Sequence, residues 1–414
     1  MKQKNKSNTI GKIYFFYLFF MLFLQIIGYS SKGAAYDTLW KAAVIAVTMF
    51  FVLLKSQLRI QKFIIMPVMI YLVGQVIAQM FCPSTIVQVS SVTRMINTAI
   101  IIAMLFLFFS FPYTWKGNGI DSFKWFLISF IILMIYAVIF NIIKNPTAVF
   151  GVLRNNSVYS NMMSSFFDNK QTFGMFLLLA VISSAFLMTI TGKKRYAFVM
   201  IGFLLNLFIC LSRTALLAGL VFLIMSAVLM IGKNTGYAKF ILTTAVAIII
   251  VVLSMTTLRT FIINVVLDTD KTVDARQDIW ASAFSTLKGI QWFVGYGDGT
   301  ATPVLRSVAQ AAYTHNGIVQ VLITGGVLKL VLYVLALAKC LKSIIAIKVH
   351  DSRLAAMFLS ALVSIFVYSM GEAIVLFDTS APCVAATIIC AGFPCIIEAY
   401  YKNKTNYGIY QDDL

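Results

Sequence analysis

The sequence predicts an all-α integral membrane protein with about 12 transmembrane helices and one large extracytoplasmic loop that contains a short amphipathic helix. Three observations predict it. Hydrophobic residues make up 60% of the chain and charged residues 11%, against about 25% charged in a soluble domain. Mean hydropathy is +0.91. The apolar residues also fall in runs near the ~20 residues that cross a bilayer. Lipid offers no partner to a backbone amide, so each run satisfies its own hydrogen bonds as a helix.

Twelve runs qualify: 13–29, 38–55, 63–81, 95–112, 124–143, 172–191, 196–211, 214–231, 239–257, 315–338, 354–373 and 382–400. "MKQKNKSNTIGK" precedes the first. That run is long and no small-x-small cleavage site follows it, so it reads as an uncleaved first helix. The seventh run is the shortest, because "LSRTA" nearly fuses it to the eighth. Cys82, Cys210, Cys340, Cys383, Cys390 and Cys395 form no CxxC pair and mostly lie in apolar runs. They read as buried free thiols. With no internal repeat or low-complexity linker, residues 1–414 read as one polytopic domain.

The formal net charge is +19. In a soluble chain that would suggest nucleic acid; here it marks cytoplasmic loops. With the N-terminus inside, the cytoplasmic segments collect Lys2, Lys4, Lys6, Lys12, Lys193, Lys194, Arg195, Lys339, Lys342, Lys348, Arg353 and Lys402. The bias supports an even helix count with both termini cytoplasmic and no nucleic-acid partner.

That orientation leaves two long loops outside, at about 144–171 and 258–314. Loops of this length in a compact protein are uncommon without a function. In the second, "TVDARQDIWASAFSTLKGI" repeats Ile279, Ala283 and Leu287 four apart, with Trp280 and Phe284 beside them. The spacing predicts a short amphipathic helix near the outer surface. "GYGDGT" after it is turn-like.

Three outward residues carry possible chemistry. Arg213 sits in "CLSRTALLAG" at the turn between the seventh and eighth spans, Arg276 opens the loop helix, and His315 begins the tenth span. An arginine in the bilayer costs about 2.5–3.5 kcal/mol on insertion scales. Arg213 either snorkels to headgroups or binds an anion, for which its planar fork of donors suits phosphate, with Arg276 as a second fork. His315 is either an interfacial cap or a general base. His350 reads as a solvated cytoplasmic residue. Metal ligation is weakly supported: Asp268 and Asp270 form a D-x-D pair, equally at home in a solvated loop. "ITGGVLK" lacks P-loop glycine spacing. Its Gly325–Gly326 pair reads as a close-packing device within a helix, and Lys329 as snorkelling inward.

"DNKQTFGMFLLLA" from Asp168, "LSRTALLAGL" from Leu211, "RQDIWASAF" from Arg276, "VGYGDG" from Val294 and "HNGIVQVLITGGVLKLVLYV" from His315 stand in this order around the large loop. Together they resemble the O-antigen ligase/polymerase superfamily, which includes Wzy-type polysaccharide polymerases. The resemblance covers roughly 165–340. It implies a bacterial cytoplasmic-membrane glycosyltransferase for capsular or O-antigen-type polysaccharide, acting at the outer face on undecaprenyl-diphosphate-linked donor and acceptor glycans. It implies no cofactor. By resemblance Arg213 and Arg276 bind the lipid diphosphate, and His315 activates the acceptor hydroxyl. Trp280, Asn316 and Arg154 complete the expected substrate contacts, and no metal site is expected. Lys170 stands where an asparagine-like residue is common, so no role is carried onto it. Membrane lipids, a flippase and a chain-length regulator are the other expected partners. The alternatives are a lipid-linked oligosaccharide flippase, or a ligase of the same superfamily with another acceptor. The apolar deep spans and one-sided long loops argue against the flippase.

Overall fold

In the computed structural model of the chain, the described residues are 69–70, 73–81, 119–147, 164–210 except 168, 212–231, 236, 239–240, 243, 246, 271–297, 301–378 except 312, and 380–406. They are helical, with no strand among them. A helical turn at 73–80 precedes α1 (Gly119–Lys144), α2 (Lys170–Thr191), α3 (Arg195–Cys210) and α4 (Arg213–Met230). The loop elements α5 (Lys271–Thr286), α6 (Gln291–Val294) and α7 (Ala301–Ala309) follow. Then come α8 (Gly317–His350), α9 (Ser352–Gly371), α10 (Ala381–Thr387) and, after a π-helical turn, α11 (Phe393–Asn406).

Six described segments are long and apolar enough to cross a bilayer: α1, α2, α4, α8, α9 and Pro382–Lys402. α3 is a shorter apolar helix. These match seven of the expected runs. Runs 13–29, 38–55 and 95–112 lie outside the described residues, as do most of 239–257 and part of 63–81. "LSRTA" is a true boundary: α3 stops at Cys210 and α4 starts at Arg213, with Ser212 as N-cap residue. The helix expected in the large loop is α5. The five described cysteines are buried and free, as their apolar settings suggest.

α2 is the centre of the bundle, buried on every side from Thr172 to Leu187. A helix that is apolar all round belongs inside. Its Phe186 interlocks with Phe123, Phe358 and Phe393 around it, with centroids 4.6 Å apart for Phe123 and Phe393 and 4.7 Å for Phe186 and Phe358. The lipid-facing stripe of α1 shows the converse pattern: Ile132, Tyr136, Ile139 and Ile143 recur at helical spacing and are exposed. Lipid tails give helices no hydrophobic reason to associate, so close backbone approach matters more. The Gly174 position on α2 lies against Ser212, and Gly371 at the end of α9 lies against Thr214. Ser364 donates to the Ala218 carbonyl at 2.7 Å, so α4 and α9 run antiparallel in contact.

These contacts sort the molecule into two ends. Gly119 packs on Ile396 and Tyr400, His350 stacks on Tyr401 at 4.6 Å, and Ser343 donates to Glu398 at 2.6 Å. Lys402 also pairs with Glu398 at 2.6 Å. His350 is exposed, as expected of a solvated residue, with one ring face on Tyr401. At the opposite end α2, α4 and α8 begin and α1 and α9 finish. There Lys144 reaches the Ser165 carbonyl at 3.3 Å, and Tyr368 donates to the Gln171 carbonyl at 3.1 Å.

A bulky residue at Gly174 would separate α2 from α4 at Ser212. Gly174→Leu is expected to lower stability by about 1–3 kcal/mol, read as a lower melting midpoint in detergent, with Gly202→Leu, which has open space, as the unaffected control.

Candidate functional site

The loop elements fold on a small core of their own. Ala283, Leu287, Tyr296, Ala301, Val304 and Leu305 pack with Val319 and Ile323 from the first turns of α8, and Trp280 lies against them. The predicted apolar face of α5 therefore faces this core through Ala283 and Leu287, while Phe284 is exposed and stacks on Trp292 at 6.2 Å. The first turns of α8 are shared, Val319 and Ile323 packing on the loop core and Val321 and Gly317 on the bundle, and its remainder belongs to the bundle.

The seam between them is a break in α8. Gly326 has φ +61° and ψ −164°, outside helical geometry. A break strands backbone carbonyls, which is costly where water is scarce. The "GYG" turn takes them up: Tyr296 N–H donates to the Ile323 carbonyl at 2.8 Å and Gly297 N–H to the Thr324 carbonyl at 2.9 Å. The fit is backbone against backbone. A Cβ at Gly326 would strike the Phe293 main chain, and one at Gly295 that of Gly325. The glycine pair thus packs closely as expected, but against a loop and across a broken helix. Lys329 corrects another expectation. It does not snorkel; it is buried and its Nζ donates to Thr324 Oγ1 at 2.9 Å beside the break. The missing side chain at Gly325 leaves it room, since a Cβ there would strike the Lys329 stem.

Upstream of α8, the turn carrying His315 is held from several sides. Trp280 Nε1 donates to the Thr314 carbonyl at 2.7 Å. Thr314 is fully buried; its Oγ1 donates to the Asn316 carbonyl at 2.8 Å, and its N–H to Gln320 Oε1 at 3.2 Å. Asn316 caps α8, its Oδ1 accepting from Ile318 N at 3.0 Å and Val319 N at 3.2 Å. His315 itself has φ +51°, a left-handed conformation that few residues other than glycine adopt and that His tolerates better than most. Such strain persists only where surrounding contacts fix it.

The fixed turn brings His315 to an acid the sequence reading did not single out. His315 Nδ1 lies 3.2 Å from Glu372 Oε2, and Arg276 Nη2 lies 3.8 Å from Glu372 Oε1. Glu372 is the C-cap residue of α9, 13% exposed; His315 and Arg276 are 41% and 38% exposed. One carboxylate therefore joins the imidazole from the head of α8 to the guanidinium from α5. The only signal for Glu372 in the sequence was a lone acid at the edge of an apolar run, which many solvated acids share.

Arg213 stands at the same end. It is the first residue of α4, exposed, and its neighbour Thr214 packs on Gly371, the neighbour of Glu372. Lys170, the first residue of α2, is close enough to Arg213 for the two charges to act on each other. Neither α2 nor α4 has an acid in its first turn, although helix N-termini favour negative charge. Two cations at two positive helix ends make this surface attractive to an anion. Of the expected substrate contacts, Trp280 and Asn316 have their polar groups in the framework that carries His315. Arg154, Asp268 and Asp270 lie outside the described residues. Among the described residues no group of three His, Cys, Asp or Glu side chains is arranged to hold a metal ion.

Residues 197–334 of the chain match a family model described as O-antigen ligase. The matched stretch runs from α3 through Arg213, the large loop, His315 and the α8 break, and ends before Glu372. No curated protein and no solved structure matches the chain.

Replacing Gly326 by Ala puts a side chain into the Phe293 backbone at a positive φ. The variant is expected to lose more than the ~1 kcal/mol usual for a glycine-to-alanine conflict. Limited proteolysis should then cut the 271–311 region faster than in the parent.

Proposed function

We propose, from the premise that residues 197–334 place this multi-pass membrane protein in the O-antigen ligase/polymerase superfamily, that it polymerises a capsular or O-antigen-type polysaccharide at the outer face of a bacterial cytoplasmic membrane. The donor is a glycan on undecaprenyl diphosphate. The acceptor is a sugar hydroxyl of a lipid-linked repeat unit. What carries the reading is the meeting of Arg276 and His315 on one carboxylate, at the bundle end where Arg213 also lies.

Each residue type suits its part. Arg213 and Arg276 neutralise the diphosphate, whose negative charge grows as it leaves. The His315 imidazole, two-fifths exposed, takes the acceptor proton, a contribution worth typically 10²–10⁴-fold. The acceptor oxygen bonds to the anomeric carbon as the bond from that carbon to the diphosphate oxygen breaks. The electron pair leaves with undecaprenyl diphosphate, and the proton rests on His315. A single displacement inverts the anomeric centre. Diphosphate is already a good leaving group and two guanidinium groups meet its charge, so the step is metal-independent. Asn316 and Trp280 hold the His315 turn in place, and Arg154 is retained as a substrate contact.

The family model's description favours a second reading, a ligase that transfers the glycan to a different acceptor. The product decides. Purified protein given only a lipid-linked repeat unit forms a ladder of longer lipid-linked chains if it is the polymerase. A ligase leaves the repeat unit unextended.

In that assay His315→Ala is expected to fold normally and lose at least about 10²-fold in chain extension. Wild-type extension by this variant would remove the proposed base. Arg213→Lys keeps the charge but loses the fork and is expected to raise KM for the donor strongly; unchanged kinetics would return Arg213 to a headgroup anchor. EDTA is expected to leave the rate unchanged, and inhibition reversed by magnesium or manganese would overturn the metal-free step.

A further inference from the structure

Glu372 sits where electrostatics disfavours it. It caps the C-terminus of α9, with its N–H on the Tyr368 carbonyl at 3.1 Å. That end of a helix carries partial negative charge and prefers a cation. The side chain is only 13% exposed, so it keeps little of the hydration that would stabilise an ionised carboxylate at the surface. What offsets this is not its own helix. The N-terminus of α8 faces it, since Gly317 packs on Ser369, and the side chains of Arg276 and His315 converge on its two oxygens. Those two residues come from different elements of the loop region, and both are held independently of Glu372. The Trp280–Thr314 bond and the Asn316 cap fix one; α5, packed on the loop core, fixes the other.

Resting on the polymerase reading above, we infer that Glu372 is the positioning residue for His315 and the resting partner of Arg276, so that an arriving diphosphate takes Arg276 from the carboxylate and leaves Glu372 to His315 alone. The atoms support this assignment. An ionised carboxylate only accepts hydrogen bonds. The His315 nitrogen facing it, Nδ1, therefore carries a proton, and Nε2 keeps its lone pair for the acceptor hydroxyl. When Nε2 has taken that proton, the carboxylate stabilises the imidazolium. The Arg276 contact is the looser of the two, 3.8 Å against 3.2 Å, and a doubly charged diphosphate is a stronger partner for a guanidinium fork than one shared carboxylate oxygen. Donor binding thus completes the base, which protects the donor from water until it is seated. The family match ends before this residue.

The test uses the full chain in nanodiscs with a defined lipid-linked repeat unit, and compares Glu372→Gln, Glu372→Asp, His315→Ala and the double variant His315→Ala/Glu372→Gln. Glu372→Gln is expected to melt like the parent and to lose about 10²-fold in kcat. Its donor KM is expected to stay level or fall, because Arg276 no longer has a competing partner. Glu372→Asp keeps the charge one methylene short and is expected to recover part of that rate. In the His315→Ala background the Gln substitution should cost nothing more, because residues that act as a unit are not additive. Wild-type kcat in folded Glu372→Gln overturns the inference, as does a further tenfold loss in the double variant. So does a rise in donor KM with kcat unchanged. If Glu372→Gln does not fold, Glu372→Asp decides: a roughly tenfold loss in kcat with parental melting supports the inference, and wild-type kcat overturns it. The failure of the underlying reading looks different: the parent itself would then leave the repeat unit unextended, and parental extension by His315→Ala would remove the base that Glu372 is said to position.

Discussion

A helix in a membrane can stop only where something else accepts its stranded carbonyls, and α8 stops once, at Gly326. The carbonyls of Ile323 and Thr324 are met by the amides of Tyr296 and Gly297. Those four main-chain groups join the large loop to the helical bundle. Without them the first turns of α8 would continue the axis of its membrane part. With them, Val319 and Ile323 join the loop's own core, while Val321 and Gly317 face the bundle. The unbroken alternative would be a helix of 34 residues, about 50 Å long, against a hydrocarbon core of about 30 Å. The break therefore resolves a length mismatch as well as a topological one.

From that clasp the geometry of the site follows. The loop core sets α5, α5 sets Trp280, and Trp280 holds the Thr314 carbonyl. Thr314 and Asn316 then leave His315 little freedom, in a conformation that it would not choose alone. The bundle supplies the other half. The antiparallel packing of α4 on α9 brings the start of one helix level with the end of the other, through Thr214 and Gly371. Arg213 and Glu372 follow as neighbours of that contact. Loop and bundle contribute different chemical groups, and neither alone holds the constellation.

The charge distribution differs between the two ends of the bundle. Lys170 and Arg213 stand at helix ends that are already positive, and Arg276 adds a third cation. Glu372 is the described acid seen among them, and it is shared. At the other end of the bundle Glu398 sits with Lys402, Lys339 and Ser343. There the carboxylate and Ser343 are buried while the two lysines reach the surface.

Much of this was legible in the sequence, for identifiable reasons. Composition and run length determine that the chain is helical and lipid-embedded, because backbone satisfaction in lipid admits few alternatives. The four-residue spacing of Ile279, Ala283 and Leu287 marked α5, and the order of the arginine and histidine motifs resembles the family whose model residues 197–334 match. Those are signals of period and order, which survive in one dimension. The break at Gly326, the inward turn of Lys329, the framework role of Trp280 and the junction at Glu372 were not legible. Each depends on a residue meeting another far along the chain: Gly326 meets Phe293, Trp280 meets Thr314, and Glu372 meets Arg276 and His315. Local sequence sets which helices can form. Only their packing decides which end groups share a carboxylate, because that proximity is created by the fold.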